Sequence, residues 1–309
     1  MGVKVFCSYL LENLYVMATS PLFRTLVVPF DFSPVAIAAA HQAAYLAGRM
    51  SCSLSLWLIH DRYSETQLGV PDGQRSVEVF RRFATLRLED LGASFLRTYG
   101  VRIGYEWLEG KVQKSVELKA QAPDVSMLVL GTFGDKKQDA IFQDSQANKL
   151  AIRTALPVLA IRSTEDTPGF RRIFMGLEIE NFNSREKIPY AVRMAEANHA
   201  EVHILGMERH RDQESVSHLK AIMAQAERYF MQRDIPVRSE IRPIKSKGSG
   251  SVQMATELKA DLMVVMAEAE GPFGGFLGDV FPQYVTHHFA HPVLIVPPKV
   301  STVTAQVTI

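Results

Sequence analysis

The stretch FRTLVVPFD, residues 23–31, returns as FRRIFMGLE at residues 170–178. Each copy sets Phe-Arg ahead of an apolar run that closes on a carboxylate, Asp31 in the first and Glu178 in the second. Toward the far end of each half, PVLAI at 157–161 returns as PVLIV at 292–296. Repeating the first and last strand-like runs at offsets of 147 and 135 residues means one architectural unit written twice, the second shorter by about a dozen residues. Between the copies, TEDTPG at 164–169 is polar and carries Pro and Gly, so it reads as a linker. The organisation expected is an N-terminal extension over 1–22, a domain over 23–163, the linker over 164–169, a second domain over 170–299 and a tail over 300–309. Met17 offers a second start within the extension, and residues 1–16 read as a loose arm outside the fold.

Within each copy strands and helices alternate. The first copy predicts strands at 24–30, 53–59, 101–107, 127–130 and 157–161. Helices are expected near 34–49, 112–121 and 145–154, with a long one carrying Phe80, Phe83, Leu88, Leu91 and Phe95 on one face. The second copy predicts strands near 171–177, 201–206, 236–241, 262–266 and 292–296. Its long helix sets Leu219, Ile222, Met223, Ala226 and Phe230 on one face. Continuous apolar strands alternating with helices imply a parallel sheet covered on both faces, an α/β fold joined by right-handed crossovers.

Composition narrows the function. Thirty-four Lys and Arg against 33 Asp and Glu leave a net charge of +1, a poor footprint for nucleic acid, which is held by clustered basic surface. No apolar run approaches the ~20 residues that cross a bilayer, so no membrane partner is expected. Cys7 and Cys52 make neither a disulfide framework nor a four-ligand metal site, which favours a reducing, cytoplasmic setting. His287, His288 and His291 have no Asp, Glu or Cys beside them to complete a metal set. Met223, Met231, Met254, Met263 and Met266 read as core filler, and Trp57 and Trp107 as packed strand residues. No nucleophile–base pair stands at recognisable spacing and G-x-S-x-G is missing, so no enzymatic centre is expected.

LVVPFDFSPVAIAAAHQAAYLA, then LVLGTFG, a helix and PVLAIRS resemble the universal stress protein family. The resemblance covers about 23–163 and 170–298. It implies two tandem, doubly wound five-stranded parallel sheets in order 3-2-1-4-5, paired edge to edge through their fifth strands. Beyond that internal pairing, the fused halves either stand alone or pair again as a homodimer. The resemblance also implies a stress-response binding and signalling role, with ATP or a related adenine nucleotide, carried with Mg, as cofactor. In that strand order the first and fourth strands are neighbours whose C-terminal ends frame the ligand crevice.

The family's nucleotide motif, G-x2-G-x9-G-[S/T], can be laid on VLGTFGDKKQDAIFQDS, residues 129–145. Gly131 and Gly134 fit its first part and Ser145 its last residue, while Asp144 replaces a glycine and brings a negative charge toward the phosphates. Lys136 and Lys137, or a divalent cation, would offset it. The cofactor-binding set is therefore Asp31, Gly131, Gly134 and Ser145. Asp31 and Ser33 also suit capping of the helix that begins at Pro34, the two glycines a tight turn, and Ser145 an N-cap. In the second copy Met266, Ala269, Asp279 and Val280 take the motif positions, so that copy is expected to have lost nucleotide binding. IKSKGSGSV at 244–252 reads as a solvated flexible loop, or as an anion-binding loop through Lys245 and Lys247. Lys111 and Lys114 in the first copy give a weaker form of the same preference. Two other functions compete: a stress protein that binds a partner or small molecule without nucleotide, and an ATP-cleaving enzyme of the wider nucleotide-binding α/β group.

Overall fold

The computed structural model describes residues 23–60, 62–70, 77–108, 111–133, 142–162, 168–178, 182–208, 213–244, 246–268 and 281–298. In the first half the order is β1 (Thr25–Phe30), α1 (Pro34–Met50), β2 (Ser53–Ile59), α2 (Arg62–Gln67), α3 (Val77–Tyr99), β3 (Ile103–Leu108), α4 (Val112–Lys119), β4 (Val125–Phe133), the two-residue β5 (Phe142–Gln143), α5 (Asp144–Thr154) and β6 (Val158–Ile161). The second half runs β7 (Arg172–Leu177), a 3-10 turn (Phe182–Arg185), α6 (Ile188–Asn198), β8 (Glu201–Glu208), α7 (Gln213–Met231), β9 (Val237–Pro243), α8 (Lys247–Glu257), β10 (Leu262–Met266), α9 (Phe281–His288) and β11 (Val293–Val296).

The strands form one sheet in the order β3-β2-β1-β4-β6-β11-β10-β7-β8-β9, with β5 beside β4. Each half is thus the expected 3-2-1-4-5 arrangement. The halves meet through their last strands, β6 and β11, which pair antiparallel with Leu159 opposite Leu294. All other ladders are parallel.

Side chains alternate between the two faces of each strand. Leu26, Val28 and Phe30 enter a core shared with α1, α3, α6 and α7, while Val27 enters a second core with α4, α5, α8 and α9. Both cores run across the junction between the halves. The alanines of α1 explain its place at the centre: their short side chains let it lie close to β4 on one side and α6 on the other.

The long helices bury the expected faces, with Phe80, Leu88 and Phe95 on α3 and Leu219, Met223 and Phe230 on α7. Met231, expected in the core, is the last residue of α7 and is 60% exposed. GSGS at 248–251 is helical, within the first turns of α8. A Cβ at Gly248 would stand 2.6 Å from the ring of Tyr284, so glycine there lets α8 seat against α9. The expected flexible loop is thus overruled by a tertiary contact. Among the described residues no helix is long and apolar enough to cross a membrane.

Candidate functional site

β1 and β4 are parallel neighbours; Asp31 directly follows β1, and Gly131 lies two residues before the C-terminal end of β4. Asp31 is buried. Its Oδ1 accepts the Ser33 N–H at 3.0 Å and the Ser33 hydroxyl at 2.6 Å. Ser33 in turn caps α1, its Oγ accepting the Ala36 N–H at 3.2 Å ahead of Pro34. The cap is therefore Ser33, and Asp31 holds the capping residue. Between them Phe32 takes a left-handed φ of 64°, which turns the chain sharply from strand to helix.

Gly131 does not end its strand, as the sequence suggested. It pairs with Ile161, and β4 continues to Phe133. A Cβ at 131 would lie 2.6 Å from the Val35 carbonyl group and 2.7 Å from the Ala36 nitrogen. The first turn of α1 thus rests on bare backbone, and the glycine is required for that approach. Next to it, Thr132 is fully buried and its Oγ1 has no hydrogen-bond partner among the described residues.

Gly134 lies outside the described residues, as do Lys136 and Lys137. β5 pairs Phe142 and Gln143 with Thr132 and Phe133, which brings the start of α5 back to the end of β4. The helix begins at Asp144, and its N-cap is Gln143 and not Ser145. The Gln143 N–H donates to Gln146 Oε1 at 2.9 Å. The backbone of Ser145 thus belongs to the first turn of α5, where N–H groups lack intrahelical acceptors and an anion is favoured.

A histidine outside the expected site residues is held at the same edge. His60 follows β2, stacks on Phe80 with ring centres 4.4 Å apart, and sets Nε2 2.9 Å from Glu65 Oε1. A histidine directly after an apolar strand, SLSLWLIH, was the available signal.

The corresponding edge of the second half is built differently. Glu178 follows β7 and Glu268 follows β10, and the Lys247 ammonium bridges them, 3.0 Å from Glu178 and in short contact with Glu268. The same ammonium lies 4.2 Å from the ring centre of Phe281. Lys187, the N-cap residue of α6, is buried beside this group; desolvation pulls its pKa down to about 8, against the attraction of Glu178 and Glu268. Lys247 is therefore held by the protein's own carboxylates, not offered to an external anion. Lys245 and residues 269–280 lie outside the described residues, whereas Lys111 and Lys114 are exposed.

The two edges are joined. Asn148 of α5 is fully buried; its Nδ2 donates to the Glu268 carbonyl at 2.9 Å and its Oδ1 accepts the Glu268 N–H at 3.2 Å. Of the three histidines, His287 and His288 meet edge-on with ring centres 4.8 Å apart, the His288 ring also stacks on Tyr284, and His291 lies edge-on to Phe289. Among the described residues, no three His, Cys, Asp or Glu side chains gather as a metal set.

A family model described as the universal stress protein family matches residues 22–162 and again 170–297. The structure is similar to that of a universal stress protein from Archaeoglobus fulgidus DSM 4304, with TM-score 0.61 and 12% identity, covering 90% of this chain and 98% of that one. It is also similar to a functionally unknown protein from Pseudomonas aeruginosa PAO1, with TM-score 0.58 and 18% identity over 92% and 94% of the two chains. No curated protein matches the chain.

Proposed function

Because the chain belongs to the universal stress protein family, we propose that it is a stress-response binding protein that holds ATP or a related adenine nucleotide in the first-half crevice alone. The observation that carries this reading is the contrast between the two edges. In the first half, Asp31, the bare backbone at Gly131 and the opening turn of α5 lie around the end of β4. In the second, Lys247 already bridges Glu178 and Glu268. In this role Asp31 would face the sugar or base, while Gly131, Gly134 and Ser145 would offer backbone N–H groups to phosphate. The buried Thr132 hydroxyl, which has no partner among the described residues, fits a crevice completed by a ligand. Asp144 opens α5 and works against a polyphosphate, and a magnesium ion carried by the nucleotide would supply the compensating charge. The role is binding and not turnover.

The test is direct. The purified protein is expected to release adenine absorbance on acid extraction, or to take up ATP-Mg in a calorimetric titration. Asp31→Asn keeps an oxygen for both Ser33 bonds but removes the charge, and should weaken ATP about tenfold. A protein free of adenine that also ignores ATP-Mg would overturn the proposal in favour of a partner or ligand of another kind.

A further inference from the structure

A pocket of about 360 Å³ lies at the N-terminal ends of β7, β10 and β11, where the second half meets α1. These are the ends of β7 and β10 opposite to Glu178 and Glu268, and the pocket shares no lining residue with the first-half crevice. Its lining is graded in burial. Gln42 and Phe170 are buried, Tyr45, Gly169 and Asp261 are half-buried, and Arg171 is exposed, so the pocket opens to solvent from a buried base.

The repeat explains why this space exists. Counted back from the left-handed caps Ser51 and His199, Gln42 of α1 takes the place that Tyr190 holds in α6. Phe170 likewise repeats Phe23. On the symmetric side the Tyr190 ring packs against Phe23, with ring centres 6.2 Å apart. Beside Phe170 that ring is replaced by the smaller amide of Gln42.

The polar groups left uncommitted are donors. Gln42 Oε1 accepts the Gly169 N–H at 3.2 Å, and its Nε2 is buried without an acceptor among the described residues. A buried amide in that state calls for a partner. Tyr45 sets its hydroxyl over Gly169, where a Cβ would stand 3.2 Å from the oxygen. Arg171 gives its backbone N–H to Asp261, while its guanidinium meets no carboxylate among the described residues. A guanidinium with further N–H and O–H donors beside it suits a carboxylate. The Asp261 oxygens take the Arg171 and Arg172 N–H groups at 2.8 Å each, and its charge at the wall disfavours a second negative charge on the guest. Phe170 and the Tyr45 ring give the guest an apolar surface, and the volume lies at the small end of ligand pockets.

From the unpartnered Gln42 amide at the base and the uncommitted Arg171 at the mouth, we propose that this pocket binds small monocarboxylates with a compact apolar body. It is a second site, independent of the adenine reading of the first-half crevice.

The experiment uses the intact chain with benzoate as the probe, followed by saturation-transfer NMR and calorimetry. Saturable binding is expected, with the same affinity in excess ATP-Mg. Gln42→Tyr repeats the Tyr190 arrangement against Phe170 and removes the amide, and should weaken benzoate about tenfold or more. Arg171→Gln, at an exposed position, is expected to weaken benzoate about tenfold at an unchanged thermal midpoint and to leave benzyl alcohol unaffected. This second variant decides the matter if the first fails to fold. Absence of saturable binding, competition by ATP-Mg, tighter binding of inorganic phosphate than of benzoate, full affinity in a folded Gln42→Tyr variant, or indifference of benzoate to Arg171→Gln would each overturn the assignment.

Discussion

Lys187 is 2% exposed and carries its ammonium among Glu178, Lys247 and Glu268. Burial lowers its pKa from the ordinary 10.5 to about 8, so the folded state releases a proton that the unfolded chain keeps. The stability linked to this group is therefore gained as pH rises from about 8 to 10.5 and absent below that window, on the order of 3 kcal/mol in all. Lys187→Met removes the titration. Its stability relative to the wild type is expected to be highest near neutral pH and to shrink as pH approaches 10. Urea unfolding at several pH values checks this, and a constant difference would refute it. Elsewhere, burial raises the Cys52 thiol to about 11, which makes it a packing residue and not a reactive one. Gly131 is constrained by α1, so a side chain there would disturb the helix whether or not a ligand binds.

At the scale of elements, the two crevices share a topology and differ in what spans it. In the second half Lys247, at the start of α8, ties the ends of β7 and β10 together. Removing it leaves two partly buried carboxylates near each other with Lys187 as the remaining cation among the described residues. Lys247→Met should cost on the order of 3 kcal/mol in urea unfolding. The loss should be smaller in a Glu268→Gln background, where one of the stranded charges is gone. An equal loss in both backgrounds would mean that the bridge does not couple the two strands.

For the whole molecule, β6 and β11 convert two sheets into one, and both cores cross the seam. Asn148 adds two hydrogen bonds to the Glu268 backbone, and Arg162 donates to the carbonyls of His287 and Phe289. With so much buried surface shared, the halves should unfold together. Calorimetry of the intact chain is expected to give one transition. Leu159→Asp places a charge opposite Leu294 at the seam and should separate it into two. A single transition at an unchanged midpoint would show that the seam contributes little. The fifth-strand edges are used inside the chain, which leaves β3 and β9 as the outer strands of the sheet.

The repeat, the strand order within each half and the meeting of Asp31 with the end of β4 were legible in the sequence. The repeat follows from periodicity and from similar strand runs at similar places, which are local or nearly so, while the strand order and the meeting at the end of β4 are what the resemblance to the family implied. Only the tertiary structure decided what lies at the two edges. Lys247 looked like a free cation because its partners, Glu178 and Glu268, lie 69 and 21 residues away in sequence. GSGS looked flexible because Tyr284, which it seats against, is more than 30 residues off. Charge pairing and void space are properties of residues brought together by folding, and no single stretch of chain contains them.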